Sequence, residues 1–119
     1  MKTIVELDYS YGYLSITFVK EFQFNFAPFY DLVIFEKNEE YEFINELVNT
    51  KYTKTIISIN VIENCFEVDI MEFWREPVTG ETIDDIFEKA KAFNWKRTDS
   101  TDVNMLKDLM KKDYESKPK

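Results

Sequence analysis

Residues 65 to 76, "CFEVDIMEFWRE", hold most of the side chains in this chain that have the right types and spacing for chemistry. Cys65 is the only cysteine. Glu67 and Asp69 follow at two-residue spacing, so on a strand they share a face about 7 Å apart. Carboxylates at that separation serve hard-cation sites and inverting glycosidases. Against this, the chain holds 23 acidic residues in 119 positions, which produces such pairs without any functional demand. Neighbouring carboxylates also raise a thiol's pKa, the wrong direction for a nucleophile at Cys65. Trp74 and Arg75 belong to the residue types most enriched at interface hot spots, and with Glu76 they end a strand beside a proline-bearing loop.

Several chemistries lack their usual parts. The chain has no histidine and two glycines, which removes the commonest general base, most zinc sites and any glycine-rich phosphate cradle. No catalytic, cofactor-binding or metal-ligating set is assigned. Net charge is −8. Residues 1 to 95 hold 8 Lys/Arg against 18 Asp/Glu, and residues 96 to 119 hold 7 against 5. An acidic body repels nucleic acid and steers basic partners; it also serves solubility alone. No run approaches the ~18 apolar residues of a membrane span, and a lone cysteine fits a reducing compartment, so a cytoplasmic protein is expected.

These residues need elements to hold them. Thr3, Val5, Leu7 and Tyr9 alternate with polar neighbours as a half-buried strand, and Ser10-Tyr11-Gly12 turns the chain. Leu14, Ile16, Phe18, Phe22, Phe24 and Phe26 continue the alternation on one face, interrupted by Lys20. Thirteen extended residues would run about 43 Å, so a bend or bulge near Lys20-Glu21 is expected. By this pattern the rings of "FQFNF" are core rather than a stacking surface. Asp31 to Phe35 forms the next strand. Residues 38 to 49 read as a helix capped by Asn38, with a strand as the alternative.

The next hairpin is specified by its side chains. With Glu63-Asn64 as the turn between strands 54–62 and 65–73, Val61 faces Phe66, Ile59 faces Val68 and Ile57 faces Ile70. Asn60 faces Glu67 and Ser58 faces Asp69 on the other side, and a one-residue slip destroys both sets. Asn64 suits the left-handed conformation of such a turn. Thr82 then caps a helix with Ile83, Ile86, Phe87, Ala90 and Phe93 as its stripe. A second helix starts near Ser100 to Asp102, with Val103, Leu106, Leu109 and Met110 inward. Residues 115–119 read as a frayed tail. Together these predict one α+β domain over 1–119: a bent antiparallel sheet of about five strands with two C-terminal helices on one face.

The run "FQFNFAPFYDLVI", the hairpin end "ENCFEVDI" and the helix end "FNWK" resemble a group of small bacterial proteins. In that group an aromatic strand leads through a "PF-x-PF-x-GL-x-I" turn into a strand pair and a C-terminal helix. The chain departs from the pattern at Phe26-Ala27 and at Asp31, where glycine is usual. The resemblance implies an α+β fold and no activity.

The functional expectation is a non-enzymatic binding protein of inhibitor or immunity type. It would recognise a basic protein partner, with Trp74, Arg75, Glu76, Glu67 and Asp69 as binding residues. A small-ligand binder or enzyme with a pocket between sheet and helices, and a homo-oligomeric structural subunit, are the alternatives.

Overall fold

The structure, a computed structural model, describes residues 2–29, 32–46 and 53–116. Nine elements follow in order: β1 (Lys2–Tyr11), β2 (Leu14–Gln23), β3 (Val33–Lys37), β4 (Glu42–Glu46), β5 (Thr53–Ile62), β6 (Cys65–Trp74), α1 (Gly80–Ala92), β7 (Lys96–Arg97) and α2 (Val103–Glu115). They form a five-stranded sheet of order β5-β6-β1-β2-β7 and a separate two-stranded sheet, β3-β4. The α+β class holds, but the sheet is mixed rather than purely antiparallel. Two antiparallel hairpins, β1-β2 and β5-β6, are joined by a parallel pairing of β1 with β6. Local periodicity reports which face of a strand is buried, not which distant strand lies beside it.

The β5-β6 register is the one derived above: Val61 opposite Phe66, Ile59 opposite Val68, Ile57 opposite Ile70, with Asn60 on Glu67 and Ser58 on Asp69. The left-handed turn residue is Glu63 at φ 53°, however, not Asn64. In the first hairpin Ser10 and Tyr11 pair with Ser15 and Leu14 as part of β1, so the turn is Gly12-Tyr13 rather than Ser10-Tyr11-Gly12; Gly12 takes φ 59°.

One sheet face carries the core. Val5, Leu7, Ile16, Phe18, Val68 and Ile70 are all at most 2% exposed, and Ile83, Ala90, Leu106 and Met110 of the two helices close over them. Asp102 caps α2 by accepting from the backbone N–H of Asn104 and Met105, as its position before the apolar stripe predicts. In α1 the cap is Thr79, whose hydroxyl accepts from Thr82 N–H at 3.2 Å; Thr82 is inside the helix, not at its cap. Asn94 at φ 61° ends α1, while Asn94 N–H donates to Lys91 O and Trp95 N–H to Ala90 O, a Schellman closure. That closure delivers Trp95 onto Phe22 and Phe43, 5.7 and 6.0 Å away.

Three further expectations are corrected. Residues 42–46 form a strand, not a helix: Asn38 Oδ1 accepts from the N–H of Glu40 and Tyr41, which makes a tight turn into β4. Residues 47 to 49 lie outside the described residues. No bulge occurs at Lys20-Glu21, where the β1-β2 ladder runs unbroken. Lys20 instead keeps its charge on the core side by pairing with Glu36, which also accepts from Trp95 Nε1 at 2.7 Å. The regular strand stops at Gln23, so the aromatic run leaves the core: Phe22 and Phe24 are half-buried, but Phe26 is 44% exposed and not core. The rings still stack in sequence, Phe22 on Phe24 at 5.2 Å and Phe24 on Phe26 at 5.0 Å. At the other end, Glu115 is helical and Ser116 caps α2, while 117–119 lie outside the described residues.

Candidate functional site: the uncovered sheet face

The second face of the large sheet has no buried residue among those described. Alternation puts Ile4, Glu6 and Asp8 of β1, Thr17, Val19 and Glu21 of β2, and Cys65, Glu67, Asp69 and Met71 of β6 on it. The parallel register sets Glu6 beside Asp69 and Ile4 beside Glu67. Four carboxylates thus meet across one strand boundary: Glu6 and Asp8 on β1, Glu67 and Asp69 on β6. Asp8 accepts a hydrogen bond from the Thr17 hydroxyl on the next strand.

This crowding has an electrostatic signature. Glu6 is pushed up to about 7, first by partial burial, then by the charge of Asp8, a hydrogen bond with Asp69 and the charges of Asp69 and Glu67. Near neutral pH the patch therefore holds a proton on Glu6 in part of the population. Among the described residues, no group of three or more His, Cys, Asp or Glu side chains is placed to hold a metal ion. The patch is an acidic surface rimmed by Ile4, Val19, Met71 and Phe73, the last 37% exposed.

The five residues singled out in the sequence do not form one surface. Glu67 and Asp69 stand in the patch. Trp74 points to the opposite face, is 9% exposed and stacks on Tyr9 at 5.6 Å; it is a core residue and is not displayed. Arg75 and Glu76 are exposed just beyond the end of β6. Trp95 is 5% exposed and also belongs to the core. Glu6 and Asp8 went unrecognised in the sequence because their membership depends on the β1-β6 pairing.

Buried ionisable groups lie on the helix side. Burial pushes Glu72 up to about 6. Tyr9, its register neighbour, is raised by burial and by the Glu72 charge, and its hydroxyl donates to Asn45 Oδ1 at 3.4 Å. A cleft of about 540 Å3 opens between residues 76–82 and α2, lined by Val78, Thr79, Lys107, Met110, Lys111 and Tyr114. It lies beside the loop that follows β6, not between the sheet and the helices. Among the described residues, no helix is long and apolar enough to cross a membrane. Comparison of the chain with protein-family models, curated sequences and solved structures finds no match.

Proposed function

We propose that this chain is a non-enzymatic, acidic recognition protein of inhibitor or immunity type, and that its uncovered sheet face engages a basic protein partner. The observation that carries the reading is the convergence of Glu6, Asp8, Glu67 and Asp69 on a face with no covering layer among the described residues. Such a field speeds encounter with a cationic surface, while the apolar rim supplies contact area that lengthens residence. A cationic side chain from the partner would also displace the shared proton on Glu6, so binding would release protons and tighten as pH rises through about 7.

Tagged protein is used to capture partners at low salt from a lysate of the organism that encodes it, beside a Glu6→Gln/Glu67→Gln/Asp69→Asn variant. A basic protein retained by the unaltered chain, eluted by salt and lost with the variant supports the reading. Retention that ignores both salt and the variant overturns it.

The cleft beside α2 favours a second reading, a small-ligand binder. Its volume lies within the roughly 300–1,000 Å3 of ligand pockets. Thermal-shift screening against small anions tests it: stabilisation lost on Lys111→Ala supports the cleft, and no stabilising compound counts against it.

A further inference from the structure

The turn that ends α1 brings positive charge and aromatic rings together at one corner of an acidic molecule. Asn94 reverses the chain after the last helical turn, and Lys96 and Arg97 then pair as β7 with Val19 and Phe18 of β2. Lys91 on one side of the reversal, and Lys96 and Arg97 on the other, rim a cleft of about 550 Å3. Its apolar wall is formed by Phe18, Phe87 and Trp95, and no carboxylate lines it among the described residues. The volume falls within the roughly 300–1,000 Å3 of small-molecule sites.

The three cations are not equivalent. Arg97 is committed: Nε and Nη2 donate to the two oxygens of Asp99, and Nη2 also donates to Thr101 O. These bonds hold the guanidinium over the Phe87 ring, 5.1 Å from its centroid, so one face of its plane is covered and the other is left for a ligand. Asp99 also accepts from the N–H groups of Thr17 and Thr101, which turns its charge towards the backbone. Lys91 and Lys96 are both exposed, and neither joins an ion pair, whereas Lys20, Lys37, Lys89 and Lys107 all do. Two uncommitted ammonium groups therefore flank an aromatic wall that carries a fixed guanidinium plane.

We infer that this cleft binds a small phosphate monoester carrying a planar ring, with the phosphate at Lys91 and Lys96 and the ring against Arg97. Charge complementarity selects the phosphate. A monoester carries about −1.5 to −2 at neutral pH, which two lysine point charges match. The ring follows from the wall, since guanidinium planes stack on planar rings and the edges of Phe87 and Trp95 add apolar contact. A polynucleotide would run out of the cleft onto a body of net charge −8. A single small anion is spared most of that repulsion, which salt at about 0.15 M screens beyond ~8 Å. The inference goes beyond the recognition reading and uses no residue of the acidic face.

Titration calorimetry with adenosine monophosphate and with phenyl phosphate measures the affinity, and chemical-shift mapping on isotope-labelled protein locates the site. At least one monoester should bind with a Kd below ~1 mM and move the signals of residues 91–97 and the Trp95 indole. Tighter binding of adenosine monophosphate would identify a nucleotide, and of phenyl phosphate a phosphorylated aryl group. Lys91→Gln/Lys96→Gln should weaken binding roughly tenfold or more, while Lys2→Gln/Lys112→Gln, which removes equal charge from exposed positions outside the cleft, should change it less than about twofold. Inorganic phosphate, adenosine and phenol should each bind roughly tenfold more weakly than the better monoester. No binding at ~1 mM, inorganic phosphate held as tightly as the monoesters, equal losses in the two double variants, or shifts confined to the cleft beside α2 would overturn the inference.

Discussion

Glu6 is the residue at which the acidic face trades stability for charge. Its folded-state pKa of about 7 lies above the 4.5 of an ordinary glutamate. Below pH 4.5 both folded and unfolded chains hold the proton, and Glu6 costs nothing. As pH rises towards 7 the unfolded chain releases it first, so stability falls across that window and stays lower above it. Solvent screening limits the cost to about 1 kcal/mol. Glu6→Gln should therefore raise the melting temperature at pH 8 by roughly 4 °C and leave it nearly unchanged at pH 4; equal shifts at both pH values would refute this account. Asp99 works in the opposite sense. Burial alone would raise it, but hydrogen bonds from Arg97 and from the N–H groups of Thr17 and Thr101 bring it down to about 2. Its contribution is in place above pH 4 and is lost as pH falls towards 2. Glu67 and Asp69 were legible as a pair because two-residue spacing on a strand is a local property. Glu6 and Asp8 were not, because their closeness to that pair arises sixty residues away along the chain, a separation of roughly that size being set by topology alone.

Among the elements, the β7 segment shows how an edge is held closed. Arg97 and Asp99 form a two-pronged ion pair, with bonds of 3.0 and 2.8 Å, and Asp99 also accepts from Thr17 and Thr101. Asp99→Ala would leave the β2 edge without its partner at Thr17 and is expected to destabilise the fold by about 2 kcal/mol. Urea denaturation measures this, and a loss below about 0.5 kcal/mol would show that β7 is not a clamp. The elements differ in how openly they announce themselves. The β5-β6 hairpin was readable to the residue pair because both faces constrain its register. In β4 the types run against position: Asn45 is buried at 3% exposure and Ile44 is exposed at 48%, so the alternation is hidden and the helical spacing of Tyr41, Ile44 and Leu47 misleads. The aromatic run followed the core period beyond the point where the strand ends, since stacked rings maintain the same spacing outside a sheet.

Taken whole, the molecule measures 49 × 29 × 25 Å, with a radius of gyration of 15.2 Å where about 13.5 Å is usual for this length. An elongated body with net charge −8 and a concentrated acidic face repels itself. Raising salt from about 0.02 to about 0.2 M should lift the melting temperature by roughly 2–4 °C, and a fall over that range would show that attractive ion pairs dominate. The parallel joint between β1 and β6 has another consequence, for synthesis. The β1-β2 hairpin leaves the ribosome before β6, and the strand that will cover β1 follows it by roughly sixty residues, a delay of seconds at about 5–20 residues per second. Through that interval β1 is an open edge on every nascent chain. Neighbouring chains on one messenger carry the same Glu6 and Asp8 on that edge, and their mutual repulsion opposes cross-pairing before β6 arrives.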